Sequence, residues 1–497
     1  MTLTNRVLEV CDDALAQLQP GEGRDLALSV REKLLVPLRV TVAGSVSAGK
    51  STLVNALLGQ RIAPVDAGEC TRVVTSFEYG HPERAEVVSE DGSRSPIPLT
   101  ERGLPSELGV PLDQVRLVEV YLSNANLRTI TIIDTPGLNT VTGAGEQSAA
   151  FLGVGTSREA VDSSKAIGQA DALVFLMPHL RQADAEVLTA FRSLYDGTGL
   201  SAVNSIGVLS KVDQLTREAR PLDVAQPIAA RVAQDLRSVV ADVMPVVGLL
   251  AETANAAQFT EDDARGVVAV AAVEDELDRE DMLLSPEEFL RFDQLDLGDR
   301  PRQRLLRLLG LYGLQVAMEA VDAGARGAAP LIRALDEQSG FAPLRDQIIG
   351  RFAQQADLLK AHVAVCDLQR LSYLRSDPAN SRVLRSLRSP LEHLELDPEM
   401  HALRVTEVMH AAGRGELVLP ADLMADLERL TSRSDPLGRL GATNRADAGQ
   451  AATTGAARWS SWGQDPRRSP HEARWARDVK TAFELLWAEV DRESGAS

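Results

Sequence analysis

The stretch GSVSAGKS, positions 44–51, constrains this chain more than any other. It sits between an apolar run, PLRVTVAG (37–44), and the helix-like STLVNALLG (51–59). It fits the pattern G-x-x-x-x-G-K-[ST], and a place between a predicted strand and a predicted helix is the context in which that pattern holds phosphate. Backbone N–H groups of a glycine loop and of a helix start can wrap phosphate oxygens. The reading assigns Gly44, Ser45, Val46, Ser47, Ala48, Gly49, Lys50, Ser51 and Thr52 to a nucleotide site. In it Lys50 reaches the β and γ phosphates and Ser51 ligates Mg2+. Only Lys33, Lys50, Lys165, Lys211, Lys360 and Lys480 stand among 52 lysines and arginines. A position that keeps a slim ammonium in so arginine-biased a chain stands out, and Lys50 and Lys211 both fall in motifs.

Two further motifs follow in the order such a site requires. IIDTPG (132–137) is a predicted strand ending in Asp134, which can hold a magnesium-bound water, while the Gly137 amide can meet the γ-phosphate. LSKVD (209–213) supplies a base reader. Asp213 can accept the N1–H and the exocyclic amine of guanine, a pair that adenine lacks, and the stem of Lys211 can lie along the base. The nucleotide is therefore expected to be GTP. Between the first two motifs, ECTRVVTSF (69–77) offers Thr71 or Thr75 to close over the magnesium. Thr71 is favoured, because Thr75 starts a predicted strand. A fifth loop is expected after the strand PVVGLL (245–250), with Ala251 or Glu252 as candidates.

The rest of the chain gives the architecture. VVTSFEY, AEVVSE, VRLVEVYLS, TITIID, DALVFLMP and SIGVLSKVD read as strands alternating with helices, hence a largely parallel sheet. No convincing strand follows residue 255. The expected fold is α/β: a P-loop head of mostly parallel sheet flanked by helices, on an elongated α-helical neck and trunk. Residues 1–37 are expected to be helical and to pack into the neck, 38–335 to form the head, and 336–497 the neck and trunk. Residues 341–376 keep helical spacing throughout and predict one helix of about 54 Å. The segment 434–470, rich in Gly, Ala, Ser and Pro, is expected to be mobile.

Charge is unevenly spread. The formal net charge is −19, which argues against nucleic acid as a partner. Residues 259–299 alone carry a net −11, read as a solvated acidic helical segment within 258–300. Three scattered cysteines predict neither disulfide nor zinc site. The start of the chain lacks the pattern of a signal peptide, and no apolar run is long enough to cross a bilayer. One stretch is basic: RSDPANSRVLRSLRSP (375–390) sets Arg375, Arg382, Arg385 and Arg388 around Val383, Leu384 and Leu387. At the end of a helical hairpin it predicts a tip that attracts anionic headgroups and inserts a few apolar side chains. RWSSWGQDPRRSPHEARW (458–475) is a rival patch.

Together, GSVSAGKS, a threonine in a T-R context, DTPG, K-x-D and the long helical stalk resemble the bacterial dynamin-like GTPases. LLGLYGL and SGFAPLRDQI…QADLLKAH resemble their actinobacterial members. The resemblance implies GTP hydrolysis with catalysis by Lys50, Ser47, Thr71 and Gly137. It also implies self-association through heads or trunk, and membrane remodelling, with fission as the expected output, by a peripheral protein on the inner face of the plasma membrane. Val46 stands where dynamins carry a glutamine that orients the attacking water. Ser47 matches the family serine that helps hold a monovalent cation. Ser210 replaces the usual Asn or Thr. Two rivals stand beside this reading: a soluble regulatory GTPase, disfavoured by the acidic total, and a scaffold with negligible turnover.

Overall fold

The computed structural model describes residues 2–45, 47–64, 72–100, 103–105, 107–136, 170–178, 204–216, 220–236, 240–352, 355–413, 417–432 and 435–495. Helices α1 (Leu3–Leu15) and α2 (Glu22–Leu35) lead into a mixed sheet. Its strands are β1 (Leu38–Gly44), β2 (Thr75–Tyr79), β3 (Arg84–Ser89), β4 (Arg94–Ile97), β5 (Val115–Leu122), β6 (Ile130–Asp134), β7 (Ala172–Pro178), β8 (Ser205–Ser210) and β9 (Val243–Val246), in the spatial order 4-3-5-2-6-1-7-8-9. β1 is parallel to both neighbours, with Val42 opposite Asp134 on β6 and Val40 opposite Ala172 on β7. β7, β8 and β9 continue parallel, while β2 is antiparallel to β6, and β3 to β4 and β5.

Side-chain alternation buries the sheet on both faces, which is why its parallel strands read as unbroken apolar runs. Ala172, Val174 and Leu176 face one core with α3 (Lys50–Leu58). Leu173, Phe175 and Met177 face the other, with α4 (Pro221–Asp235). Because β1, β6 and β8 are parallel, their C-terminal ends bring Gly44, Asp134 and Ser210 to one edge, where α/β sheets bind ligands.

After β9 the chain is helical. α5 (Gly248–Asn255) packs on α3. α6 (Glu261–Ala271), α7 (Glu276–Met282) and α8 (Pro286–Arg291) form the acidic segment. Its ends are satisfied locally by Thr260, Asp275 and Ser285 as N-caps. It is fastened by Arg302, whose buried guanidinium donates to the carbonyls of Leu290, Phe292, Leu295 and Leu297. Arg302 belongs to α9 (Asp299–Asp322), which kinks at Gly310. α10 (Ala328–Glu337) then returns the chain to the sheet: the Val247 N–H, just past β9, donates to the Ser339 carbonyl at 2.8 Å.

The single helix expected over 341–376 is instead α11 (Phe341–Arg345), a π-helical turn (Asp346–Phe352) and α12 (Ala356–Ser372). The physical reason is a change of partner. Phe341, Leu344, Ile348 and Phe352 complete the head's core, past the boundary expected at 335, whereas Ala364, Val365, Leu368 and Leu371 pack against α1 and α2. α13 (Ser381–Ser386) and α14 (Arg388–Glu395) complete that second core. Lys360, on α12, donates to the carbonyls of Leu34 (2.6 Å) and Val36, tying the neck to the segment that enters β1.

A third core holds α15 (Pro398–Gly413), α16 (Ala421–Ser432), α17 (Pro436–Leu440), α18 (Arg445–Gly463) and α19 (Pro470–Gly495). The segment expected to be mobile, 434–470, is therefore mostly helical. Its small residues serve close packing: a Cβ on Gly455 would lie 2.5 Å from the Phe483 ring of α19. Trp459 and Trp462 of the rival lipid patch are buried there.

The expected lipid-inserting tip is also overturned in part. Asp377 accepts from the Gly23 N–H (3.0 Å), and Asn380 exchanges hydrogen bonds with the backbone of Gln19, so this segment lies on the α1–α2 turn. Leu384 and Leu387 are buried in the core that α1 and α2 complete, and Val383 is half-buried against it. Arg388 is half-buried, stacked 4.0 Å from the Tyr373 ring centre and donating to the Ser372 carbonyl. Arg375, Arg382 and Arg385 remain exposed. Among the described residues, no helix is long and apolar enough to cross a membrane.

Candidate nucleotide site

β1 hands the chain to the glycine loop at Gly44, where φ is +154° and a Cβ would lie 2.3 Å from the Leu176 carbonyl oxygen of β7. No side chain fits there. Gly49, at φ +89°, caps α3, and nothing stands within 4 Å of the place its Cβ would take. Lys50 curls back over the loop, its Nζ donating to the carbonyls of Ser45 (2.9 Å) and Gly44 (3.2 Å). Burial lowers its pKa, and nearby Asp134 opposes that shift.

The Ser51 hydroxyl donates to Asp134 Oδ2 at 2.8 Å. Burial pushes the Asp134 carboxyl up to about 6, against the pull of Lys50 and of the Ser51 hydrogen bond. Asp134 Oδ1 and Ser45 Oγ are buried and lack a hydrogen-bond partner among the described residues. An orphaned carboxylate oxygen beside a serine hydroxyl suits a hydrated hard cation, because Mg2+ keeps several of its waters when bound to one or two protein groups. The residues present therefore fit Mg2+, which Ser51 and Asp134 would hold. Val46, Thr71 and Gly137 lie outside the described residues.

At the same sheet edge, β8 closes with Ser210, whose hydroxyl donates to the Met177 carbonyl at 3.2 Å. Lys211 follows at φ +57°, and Asp213 sits in the short turn Val212–Gln214. Lys211 and Asp213 line a cleft of about 1410 Å³ together with Ala48, Gly49 and Thr52. Ser47, also left-handed at φ +61°, completes the loop.

The fifth-loop assignment needs correcting. β9 ends at Val246 and a helix starts at Gly248, so Ala251 is fully buried inside α5 and does not line the cleft. The expected strand 245–250 ran from the last two residues of β9 into the first turn of a helix, all of it apolar. Gly248 and Leu249 line the cleft instead. The glycine directly after a short apolar run was the available signal. Glu252 reaches the cleft, but its carboxylate is held by Asn55.

A model of the Dynamin family matches residues 40–212. The Isoniazid-induced protein IniC of Mycobacterium tuberculosis (strains CDC 1551 / Oshkosh and ATCC 25618 / H37Rv) is 32% identical over 479 residues, 92% of this chain and 91% of IniC. The chain belongs to the dynamin family. Members of the family are GTPases, so this protein is a dynamin-type GTPase whose nucleotide is GTP, generally taken with Mg2+. A bacterial dynamin-like protein of Nostoc punctiforme is 27% identical over 129 residues, 23% of this chain and 18% of that protein. A solved structure described as an oligomerised bacterial dynamin pair, with a mechanism for long-range sensing and tethering of membranes, aligns over 98% of this chain and 88% of its own at 12% identity. Its TM-score is 0.34, and so loose a superposition says nothing further about this chain. Against the dynamin pattern, Ser210 spends its hydroxyl on the neighbouring strand, as described above.

Proposed function

We propose that this GTPase is a peripheral membrane-remodelling protein, with fission as its output. The observation that carries the reading is the exposure of Arg375, Arg382 and Arg385, near the α1–α2 turn of a neck whose Lys360 bonds the segment that enters β1. α12 separates the two ends by about 25 Å at the helical rise. With Leu384 and Leu387 buried, membrane attachment is electrostatic, through anionic headgroups, and it occurs at the inner face of the plasma membrane. In this reading Lys50 and the Gly137 amide stabilise charge on the γ-phosphate. Ser51, Thr71 and a water on Asp134 hold Mg2+, Ser47 shares a monovalent cation, and Asp213 and Lys211 read the base. Heads or trunks associate when GTP is bound.

Val46 favours a second reading, a scaffold that turns over GTP slowly and does not reshape membranes. One experiment separates the two. GTPase rate is measured with phosphatidylglycerol vesicles, with phosphatidylcholine vesicles and without lipid, while the vesicles are imaged. The expected outcome is co-sedimentation and rate stimulation with the anionic vesicles alone, and loss of both in Arg382→Glu/Arg385→Glu. Unchanged binding by that variant removes the arginine face from the reading. Binding without any change in vesicle shape favours the scaffold.

A further inference from the structure

Beyond Lys50 in its first turn, the buried face of α3 is apolar except for Asn55, which is fully buried. Its amide is saturated. Oδ1 accepts from the backbone N–H groups of Ile62 (2.9 Å) and Ala63 (2.7 Å), while Nδ2 donates to the Ala63 carbonyl (2.9 Å) and to Glu252 Oε1 (2.8 Å). The two N–H groups can only donate, which fixes the end of the amide that faces them. Glu252 is 4% exposed and lies one turn beyond Gly248 on α5. From the other side the Leu104 N–H donates to the Ile62 carbonyl at 3.1 Å. Residues 60–64 line the same cleft as Lys211 and Asp213 and form part of its wall.

We propose that Asn55 is a positioning residue for nucleotide binding. It locks the cleft wall at 62–63 and the base-side helix α5 onto α3, the helix that begins with Lys50 and Ser51. Phosphate end, base end and wall thus share one frame. Asn55 touches no nucleotide; it acts through the backbone it holds. Aspartate cannot replace it, because two carboxylates would then face each other and the Ala63 carbonyl would lose its donor. Alanine takes the amide from three buried backbone groups, the Ile62 and Ala63 N–H and the Ala63 carbonyl, a costly arrangement. The proposal rests on the cleft being the GTP site, and Lys50→Ala tests that part separately.

The test uses the full chain, with fluorescent GDP and GTP analogues for affinity and steady-state turnover for KM and kcat. Thermal melts monitor folding. Asn55→Ala is expected to weaken both nucleotides at least tenfold and to raise KM in step, with kcat at saturating GTP changed less than threefold. Asn55→Asp is expected to be at least as poor. Adding Glu252→Gln to Asn55→Asp is expected to recover affinity at least threefold, since the new amide can donate to the new carboxylate. Affinity within twofold of the parent for a folded Asn55→Ala overturns the proposal. So does a fall in kcat at unchanged KM, or a double variant no better than Asn55→Asp. If Asn55→Ala does not fold, the comparison of the double variant with Asn55→Asp decides. If Lys50→Ala binds nucleotide as well as the parent, the cleft assignment itself has failed.

Discussion

At the residue scale, the first two motifs were legible because their spacing is local. Four residues separate Gly44 from Gly49, and the backbone that follows is forced by the loop itself. Asn55 was not read from the sequence, although a lone polar residue on the apolar face of STLVNALLG was a signal. Its four partners lie on segments that only the folded chain brings together. Asp171 is a second buried polar residue that the sequence left unmarked. It is 2% exposed and accepts from the Arg39 N–H at 2.9 Å. Burial pushes its carboxyl up to about 6, while Arg39, Lys360 and Lys33 pull the other way. The folded state therefore holds this proton more tightly than the unfolded chain. The resulting stability is fully present below about pH 4 and is lost as pH rises through about 6. Asp171→Asn keeps the acceptor and removes the charge. It should be more stable than the parent by about 1–3 kcal/mol at pH 8, with the gap closing toward pH 4; chemical denaturation across that pH range measures it.

At the element scale, the sheet was readable and the helix partners were not. Strands buried on both faces announce themselves as apolar runs wherever they lie, so β6, β7 and β8 needed no tertiary information. An amphipathic helix announces only that its leucines face something apolar. For α13 that something is α1 and α2, contributed by the opposite end of the chain. The same limit explains α18, whose glycines and alanines read as mobility and in fact admit the rings of α19. A division of labour within α13 follows. Leu384→Ala should cost about 2–5 kcal/mol in folding stability, as other buried leucine truncations do. Arg382→Glu/Arg385→Glu should stay within about 0.5 kcal/mol per site of the parent, being exposed. Urea melts distinguish the two. If Leu384→Ala instead leaves stability untouched and weakens vesicle binding, the leucine faces lipid and the packing described for α13 is wrong.

At the scale of the whole molecule, charge is partitioned. The acidic helices α6–α8 ride on the head, and the exposed arginines of 375–385 sit on the neck. A protein of net charge −19 that approaches an anionic surface must present its basic end first and keep its acidic helices away. Attachment should therefore be steeply salt-dependent, with co-sedimentation on anionic vesicles falling several-fold between 50 and 300 mM salt as the Debye length shortens. Binding that is insensitive to salt would point to an apolar attachment elsewhere.

The bond from Val247 to the Ser339 carbonyl has a further consequence. The chain leaves the sheet at the end of β9, runs through α5 to α10, and returns to that same strand end before it sets out for the neck. Topologically the acidic helices form a side excursion whose two feet stand together. The covalent route from β9 to α11 is long, but a single hydrogen bond, from the Val247 N–H to the Ser339 carbonyl, brings its two ends together. A protease cut in the exposed turn between α7 and α8, around Leu284, should thus leave two fragments that stay associated and keep nucleotide affinity. Gel filtration of the nicked protein, followed by a GTP titration, would read this directly.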